Sequence, residues 1–313
     1  MPLRCVALVL LLSASIARAD EAAWQKFSDE GAKFLDEGKY ADAEGRFRAA
    51  LSEAESFGDS DERLATTLTD LAEALRGRRK LAESEPFYKR ALTVTEKGLG
   101  ADDPGVAGPV ADLADIYRDL EKPAQAEPLY RRALKLVEAE SGATSLEAAD
   151  ADADLGAILT ALKKFYDAKP LLEKALKIRQ ETKGVDALDL SDSETDLGDL
   201  LSAQGRDSDA EPHYRKALEL MRKARSAEAA DLADAQADLA ETLAKTGKQE
   251  EAEGLWKEAA EGYAKGGEDL LDELADALDG RAAALRALKK DDEAAKVEVE
   301  AAEARKKADA VAR

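Results

Sequence analysis

The chain has 313 residues, with 46 Lys and Arg against 67 Asp and Glu, one histidine and one cysteine, and a formal net charge of −21. Such a surface repels nucleic-acid phosphates and anionic lipid headgroups and favours cationic partners. Cys5 is the only cysteine, which excludes disulfides, thiolate metal sites and a cysteine nucleophile from everything that follows it. A charged fraction of 36% would suit a disordered chain, but the 45% hydrophobic content recurs with helical period and so predicts a folded one.

The first elements in chain order form a leader. Met1–Arg4 is positively charged, Cys5–Leu12 (CVALVLLL) is apolar, and Ser13–Ala19 (SASIARA) ends in the small-x-small pattern Ala17-Arg18-Ala19. That order is the charged, apolar and cleavage-site plan of a secretory signal peptide, so residues 1–19 are expected to be removed before Asp20. The apolar run is too short to span a bilayer, which takes about 20 apolar residues. Cleavage takes away Arg4 and Arg18 and no acid, making the net charge two units more negative than −21. The expected location is periplasmic or secreted. No asparagine occurs, so there is no N-glycosylation site.

From residue 20 onward the sequence repeats itself. Ala126-Glu-Pro-Leu-Tyr-Arg-Arg-Ala-Leu134 has sister copies at Ser84–Leu92, Ala168–Leu176 and Ala210–Leu218, with Pro86, Pro128, Pro170 and Pro212 each 42 residues apart. Weaker copies starting at Ala43, Ala252 and Ala294 bring the number of units to seven, and one step, the first, is 41 residues. The predicted boundaries are about 24–64, 65–106, 107–148, 149–190, 191–232, 233–274 and 275–313. Each unit is predicted to be two antiparallel helices. In the second, a small residue is followed seven places later by alanine, as in Ala126 and Ala133. A large one lies between them: Phe47, Tyr88, Tyr130, Leu172, Tyr214 or Trp256. Seven residues are two helical turns, so the three share one face and interdigitate with the first helix. The first helices carry Leu71-Ala72, Leu113-Ala114, Leu155-Gly156, Leu197-Gly198 and Leu239-Ala240, and turns such as Glu37-Gly38-Lys39 and Thr246-Gly247-Lys248 join the pairs. In the last unit Arg281 and Glu298 stand where the others have leucine or a large apolar residue, which suits the polar face of a terminal cap.

The Leu-Ala…Tyr, Gly-Lys-Tyr and Ala-Glu-Pro-Leu-Tyr-Arg-Arg-Ala-Leu elements, with the connector Leu99-Gly100-Ala-Asp-Asp-Pro104, resemble the tetratricopeptide repeat in its 42-residue kinesin-light-chain form. The resemblance covers about Trp24 to the C-terminus. It implies an all-α, right-handed superhelical solenoid of helix-turn-helix units that binds other proteins on the inner surface lined by first helices.

Three acidic rows are predicted on that surface. Aspartate recurs at the position of Asp112 as Asp29, Asp70, Asp154, Asp196 and Asp238. Four residues earlier come Asp150, Asp192, Asp234 and Asp276, and three residues later come Glu73, Asp115, Asp199 and Glu241. The spacing i, i+4, i+7 puts all fourteen on one helix face. In the kinesin light chain pattern the Asp112 position is commonly asparagine, and the resemblance implies that it contacts the backbone of a bound peptide. An ionised carboxylate only accepts hydrogen bonds, so the substitution points to ligands offering Lys, Arg or free N–H groups, or to cations. Acidic residues on an exposed helix also simply solvate it. In bulk water two charges 10 Å apart repel by only about 0.4 kcal/mol, so the rows cost little.

Catalytic chemistry is not motivated. His213 has no second histidine to complete a triad or a zinc site, and it occupies the slot of Phe87, Leu129 and Leu171, which suits a packing or surface role. Asp59-Ser60-Asp61-Glu62 and the acidic stretch Asp189–Asp196 lack calcium-loop spacing and suit helix-start charge. The expectation is a non-enzyme without metal or cofactor: an exported scaffold or adaptor binding an extended or basic polypeptide on an acidic inner face. Nucleic acid is not an expected partner, and no membrane span remains after leader removal. The alternatives are a structural protein that self-assembles through repeat stacking into a homo-oligomer, and a low-affinity cation-binding acidic protein.

Overall fold

A computed structural model describes residues 21–224 and 228–311, so the leader expected at 1–19 lies outside the described residues. The described chain is helical, with no strand among the described residues. It forms two compact units divided between Ala143 and Thr144.

The first unit contains α1 (residues 21–36), α2 (Tyr40–Ala54), α3 (Glu62–Gly77), α4 (Leu81–Leu99), a 3-10 turn at Pro104–Val106, α5 (Ala107–Asp119) and α6 (Pro123–Ser141). The second contains α7 (Leu146–Ala161), α8 (Phe165–Glu181), α9 (Ala187–Ala203), α10 (Asp207–Met221), α11 (Ala229–Lys245) and α12 (Gln249–Tyr263). A 3-10 turn at Gly267–Leu270, α13 (Leu271–Ala287) and α14 (Asp291–Val311) complete it. Odd-numbered helices are the first helices of the repeats and even-numbered ones the second.

Packing follows the small-large-small rule. Ala43, Phe47 and Ala50 are fully buried, and so, to within a few per cent, are the triples Ser84/Tyr88/Ala91, Ala126/Tyr130/Ala133, Ala168/Leu172/Ala175 and Ala210/Tyr214/Ala217. The large residue presses on the small residue of the first helix. A Cβ on Gly156 would lie 2.3 Å from Leu172, and one on Gly198 would lie 2.8 Å from the Tyr214 ring. These glycines are therefore sockets, and the buried leucines around them (Leu155, Leu159, Leu172, Leu200, Leu239) each contribute about 2 kcal/mol of hydrophobic stabilisation.

Every helix pair closes with the same backbone device. Gly38, Arg79, Glu121, Lys163, Gly205, Gly247 and Lys289 all have φ between 55° and 85°. The next residue's N–H then reaches back five residues, as in Lys122 N to Tyr117 O at 2.8 Å and Arg206 N to Leu201 O at 2.9 Å. This is the Schellman closure of a helix C-terminus. The connectors between repeats also turn on glycine, with Gly100 at φ 98° and Gly142 at φ 88°. Asp61, Asp103, Ser145 and Asp186 then cap the element that follows, each accepting a backbone N–H. The acidic clusters at 59–62 and 189–196 do include such helix-start charge, since Asp61 accepts from Arg63 N at 2.9 Å. In the last helix pair, Glu298 accepts from Arg286 at 2.7 Å and Arg281 pairs with Glu253 at 2.8 Å.

Candidate functional site

The three acidic rows lie on the first helices, and the structure gives them different jobs. In the row three residues after the Asp112 position, the Tyr214 hydroxyl donates to Asp199 at 2.6 Å and the Tyr130 hydroxyl donates to Asp115. Asp115 also pairs with Arg118 at 2.9 Å, and Glu241 pairs with Lys245 at 2.8 Å. Glu73 stays on the exposed surface. In the row four residues before it, Asp150 pairs with Arg179 at 2.6 Å, Asp234 accepts from the Tyr263 hydroxyl at 2.6 Å, and Asp276 pairs with Arg305 at 3.0 Å. Asp192 has no such partner among the described residues.

The Asp112 row differs. Asp70, Asp112, Asp154, Asp196 and Asp238 are all half-buried, while Asp29 is exposed and accepts from Gln25 at 2.7 Å. Asp70, Asp112, Asp196 and Asp238 accept no hydrogen bond from any described residue. Burial pushes Asp70 and Asp112 up to about 6 and Asp196 and Asp238 up to about 7, with neighbouring carboxylates adding to the shift. The bulk-water electrostatics expected for this row therefore does not hold. The groove walls displace the water that would otherwise solvate these charges, and a carboxylate desolvated in this way resists ionisation. Asp199, Asp192 and Asp234 keep accessible surface and are nevertheless raised, again first by desolvation. A surface group enclosed by concave walls behaves this way.

In the second unit, α7, α9 and α11 line one cavity of about 490 Å³ with Asp196, Asp199, Asp238 and Glu241, and the Tyr214 ring contributes from α10. Lys163 and Lys245 stand at the ends of the first helices on the same cavity, with Thr160, Ser202 and Thr242. A neighbouring hollow of about 290 Å³ shares Asp238 and adds Asp192, Asp231 and Asp234. In the first unit, Asp70 and Asp112 open into a cavity of about 460 Å³ between α3, α4 and α5. Inside each unit the first helices supply most of the carboxylates that line these cavities.

Several residues of these sites were not predicted. Arg179 on α8 is almost fully buried and binds Asp150, Ser193 Oγ at 2.6 Å and the Asp189 carbonyl at 3.1 Å. Nothing in its local sequence marks it apart from Lys135 or Lys177 nearby. Lys163 and Lys245 were also missed, and their signal was their place at the helix-closing turns. His213 was expected to take a packing or surface role; it is partly exposed, and its Nδ1 lies 2.8 Å from Glu194 Oε2. Among the described residues no group of three His, Cys, Asp or Glu side chains converges to hold a metal ion, and no helix is long and apolar enough to cross a membrane.

Tetratricopeptide-repeat family models match residues 32–97, 63–139 and 147–223, and a second model of the repeat matches 232–265. The chain belongs to the tetratricopeptide-repeat family. A comparison with curated proteins found no match. Among solved structures the repeat array is similar to BtubC (BKLC) from P. vanneervenii, at 20% identity and a TM-score of 0.56 over 79% of this chain and 92% of that one. It is similar to a putative kinesin light chain of Podospora anserina with nearly identical TPR-like repeats, at 18% identity and a TM-score of 0.52 over 66% and 97% of the two chains. It is also similar to a Rap protein complexed with competence and sporulation factor, at 16% identity and a TM-score of 0.63 over 94% and 78%. These likenesses establish an all-α repeat solenoid. A tetratricopeptide-repeat array is a protein–protein interaction scaffold, generally non-catalytic, and family membership places this chain at that level.

Proposed function

We propose that this tetratricopeptide-repeat protein is an exported scaffold that holds an extended, basic polypeptide segment along its first-helix grooves. Asp70, Asp112, Asp196 and Asp238 are the residues that meet the cationic side chains. The observation that carries the reading is the contrast between rows. Most carboxylates of the flanking rows are satisfied by tyrosine, arginine or lysine, whereas these four are half-buried in cavities with no donor from the described chain. A Lys or Arg side chain supplies the missing donors and the missing charge. Spacing supports an extended ligand. Neighbouring helices pack roughly 10 Å apart, and an extended chain in polyproline-II form advances about 3.1 Å per residue with about three residues per turn, so a basic residue at every third position stays on one side and meets successive aspartates. The Rap protein similar in fold is complexed with competence and sporulation factor, which is a precedent for ligand binding on this architecture. Export rests on the leader-like residues 1–19 and on a remaining chain without cysteine.

An array of basic, neutral and acidic peptides probed with the purified protein at low and physiological salt tests the reading. Capture of peptides with Lys or Arg at every third position, weakened by salt, supports it, and equal capture of acidic peptides contradicts it. For export, N-terminal sequencing of the protein recovered from a producing cell is expected to begin at Asp20. A chain retained inside the cell with residues 1–19 attached contradicts it.

A further inference from the structure

We infer that the groove of the second unit is acid-released: it holds a cationic segment while Asp196 and Asp238 are ionised and lets go when they take up protons. The inference rests on the binding reading above and adds its regulation.

Asp196 on α9 and Asp238 on α11 occupy equivalent positions of adjacent repeats and line the same cavity of about 490 Å³. Both are half-buried, and neither accepts a hydrogen bond from a described residue. The charges around them are mostly of their own sign. Asp196 faces Asp154 from α7 and Asp192 and Asp199 from its own helix, against one cation among the described residues, Arg179 of α8. Asp238 faces Asp199 from α9 and Asp234 and Glu241 from its own helix. Of the remaining cations, Lys245 is held by Glu241 at 2.8 Å and also lies 3.9 Å from Asp207, and Lys163 stands on the turn after α7. On α13 the carboxylates Asp276 and Asp279 are bound by Arg305. Tyr214, which lines the same cavity, donates its hydroxyl to Asp199.

Desolvation and like charge both disfavour the ionised form, and they push both groups up to about 7. A cationic ligand entering the cavity does the reverse. It favours the carboxylates over the carboxylic acids, so binding expels protons and protonation expels the ligand. Four other carboxylates of the first helices, Asp115, Asp199, Asp234 and Glu241, have internal donors. Asp70 and Asp112 repeat the arrangement in the first unit at about 6.

The experiment uses a labelled hexapeptide of Lys and neutral residues at fixed ionic strength, with Kd measured at pH 8 and pH 5.5. The protein is the full chain carrying Asp70→Asn and Asp112→Asn, so that only the second unit retains the titrating pair. Kd is expected to rise at least about tenfold from pH 8 to pH 5.5, since a group of pKa near 7 loses about 1.5 decades of ionisation over that range. Adding Asp196→Asn and Asp238→Asn is expected to flatten the profile at the weak value, and His213→Gln is expected to leave it steep. As a second measurement, calorimetry of the unmodified protein at pH 7 in buffers of different ionisation enthalpy is expected to show proton release on binding. Binding that is equal at both pH values, a steep profile surviving Asp196→Asn and Asp238→Asn, its loss in His213→Gln, or no proton release overturns the acid-release mechanism and leaves the binding reading standing. No binding at either pH overturns both.

Discussion

Tyr214 and Asp199 lie fifteen residues apart on adjacent helices, and the tyrosine hydroxyl donates to the carboxylate at 2.6 Å. Tyr130 and Asp115 make the same pair at the same separation. The pattern extends through the sequence. Where the large packing residue carries a donor (Tyr88, Tyr130, Tyr214, Trp256), the residue fifteen places earlier is Glu73, Asp115, Asp199 or Glu241; where it is Phe47 or Leu172, that residue is Ala32 or Ala157. Asp115 and Asp199 are therefore tied to the packing of their helix pairs, whereas Asp70, Asp112, Asp196 and Asp238 accept no hydrogen bond from a described residue.

Removing the Tyr214 hydroxyl tests that division. Tyr214→Phe is expected to cost about 1 kcal/mol, because Asp199 then sits in the groove with one donor fewer. Asp199→Ala is expected to cost a similar amount, and the double variant less than the sum of the two. Urea unfolding of the three variants measures the coupling, and strict additivity would show that the pair does not act as a unit. Gly198→Ala should destabilise as well, since its Cβ would lie 2.8 Å from the Tyr214 ring.

Stability should respond to pH through Asp196 and Asp238. Their folded-state values of about 7 stand above the ordinary aspartate value of about 3.9. The folded state thus binds protons more tightly than the unfolded chain, and the cost of ionising it appears as pH rises from about 4 and is complete above about 7. Asp196→Asn and Asp238→Asn remove that cost. Each is expected to raise stability by on the order of 1 kcal/mol at pH 8, a figure reduced for partial solvent access, and to leave it unchanged near pH 4. Thermal unfolding of wild type and variants at the two pH values compares them directly. A gain as large at pH 4 as at pH 8 would contradict the electrostatic origin.

The helix-closing turns offer a backbone test. Glu121 and Lys289 adopt φ of 55° and 60°, a region that strains any residue with a Cβ. Glu121→Gly and Lys289→Gly are expected to raise stability by about 0.5 kcal/mol each, relief of strain exceeding the added flexibility of the unfolded chain. Gly38→Ala and Gly247→Ala, at φ of 69° and 85°, are expected to lower it by about 1 kcal/mol. Chemical denaturation midpoints report both signs.

Arg179 makes buried polar contacts in the second unit. Arg179→Met keeps the aliphatic bulk but leaves Ser193 Oγ without its donor and takes from the Asp189 carbonyl one of its donors, the Ser193 hydroxyl remaining. A loss of roughly 2 kcal/mol is expected, at the lower end for a buried charge because its carboxylate partner Asp150 remains open to water. Denaturant unfolding monitored by circular dichroism gives the value.

The fold was legible because one pattern recurs seven times: Ala126, Tyr130 and Ala133 and their sister triples pack as their spacing demands. The helix-closing turn was legible at Gly38 and Gly247, where glycine marks the left-handed residue, and hidden at Arg79, Glu121, Lys163 and Lys289, where nothing does. The acidic face was legible as a whole, since periodicity places fourteen carboxylates on one side of the first helices. Which of these carboxylates find a partner within the fold was not, because the partners Tyr214, Tyr263, Arg179 and Arg305 come from the adjoining second helices. Helical spacing tells which residues share a face; it does not tell what the next helix brings against them.

The central claim is that the Asp112 row, and not the row bound by tyrosine, captures a cationic ligand. The most direct measurement is the affinity of one Lys-rich peptide, at pH 8 and low salt, for three proteins. These are the wild type, the Asp70→Asn, Asp112→Asn, Asp196→Asn, Asp238→Asn variant and the Asp115→Asn, Asp199→Asn variant. The account predicts that binding falls at least about tenfold in the first variant, the loss of roughly 1.4 kcal/mol or more of charge-assisted contact, and stays near wild type in the second. Equal loss in both, or loss only in the second, would contradict it.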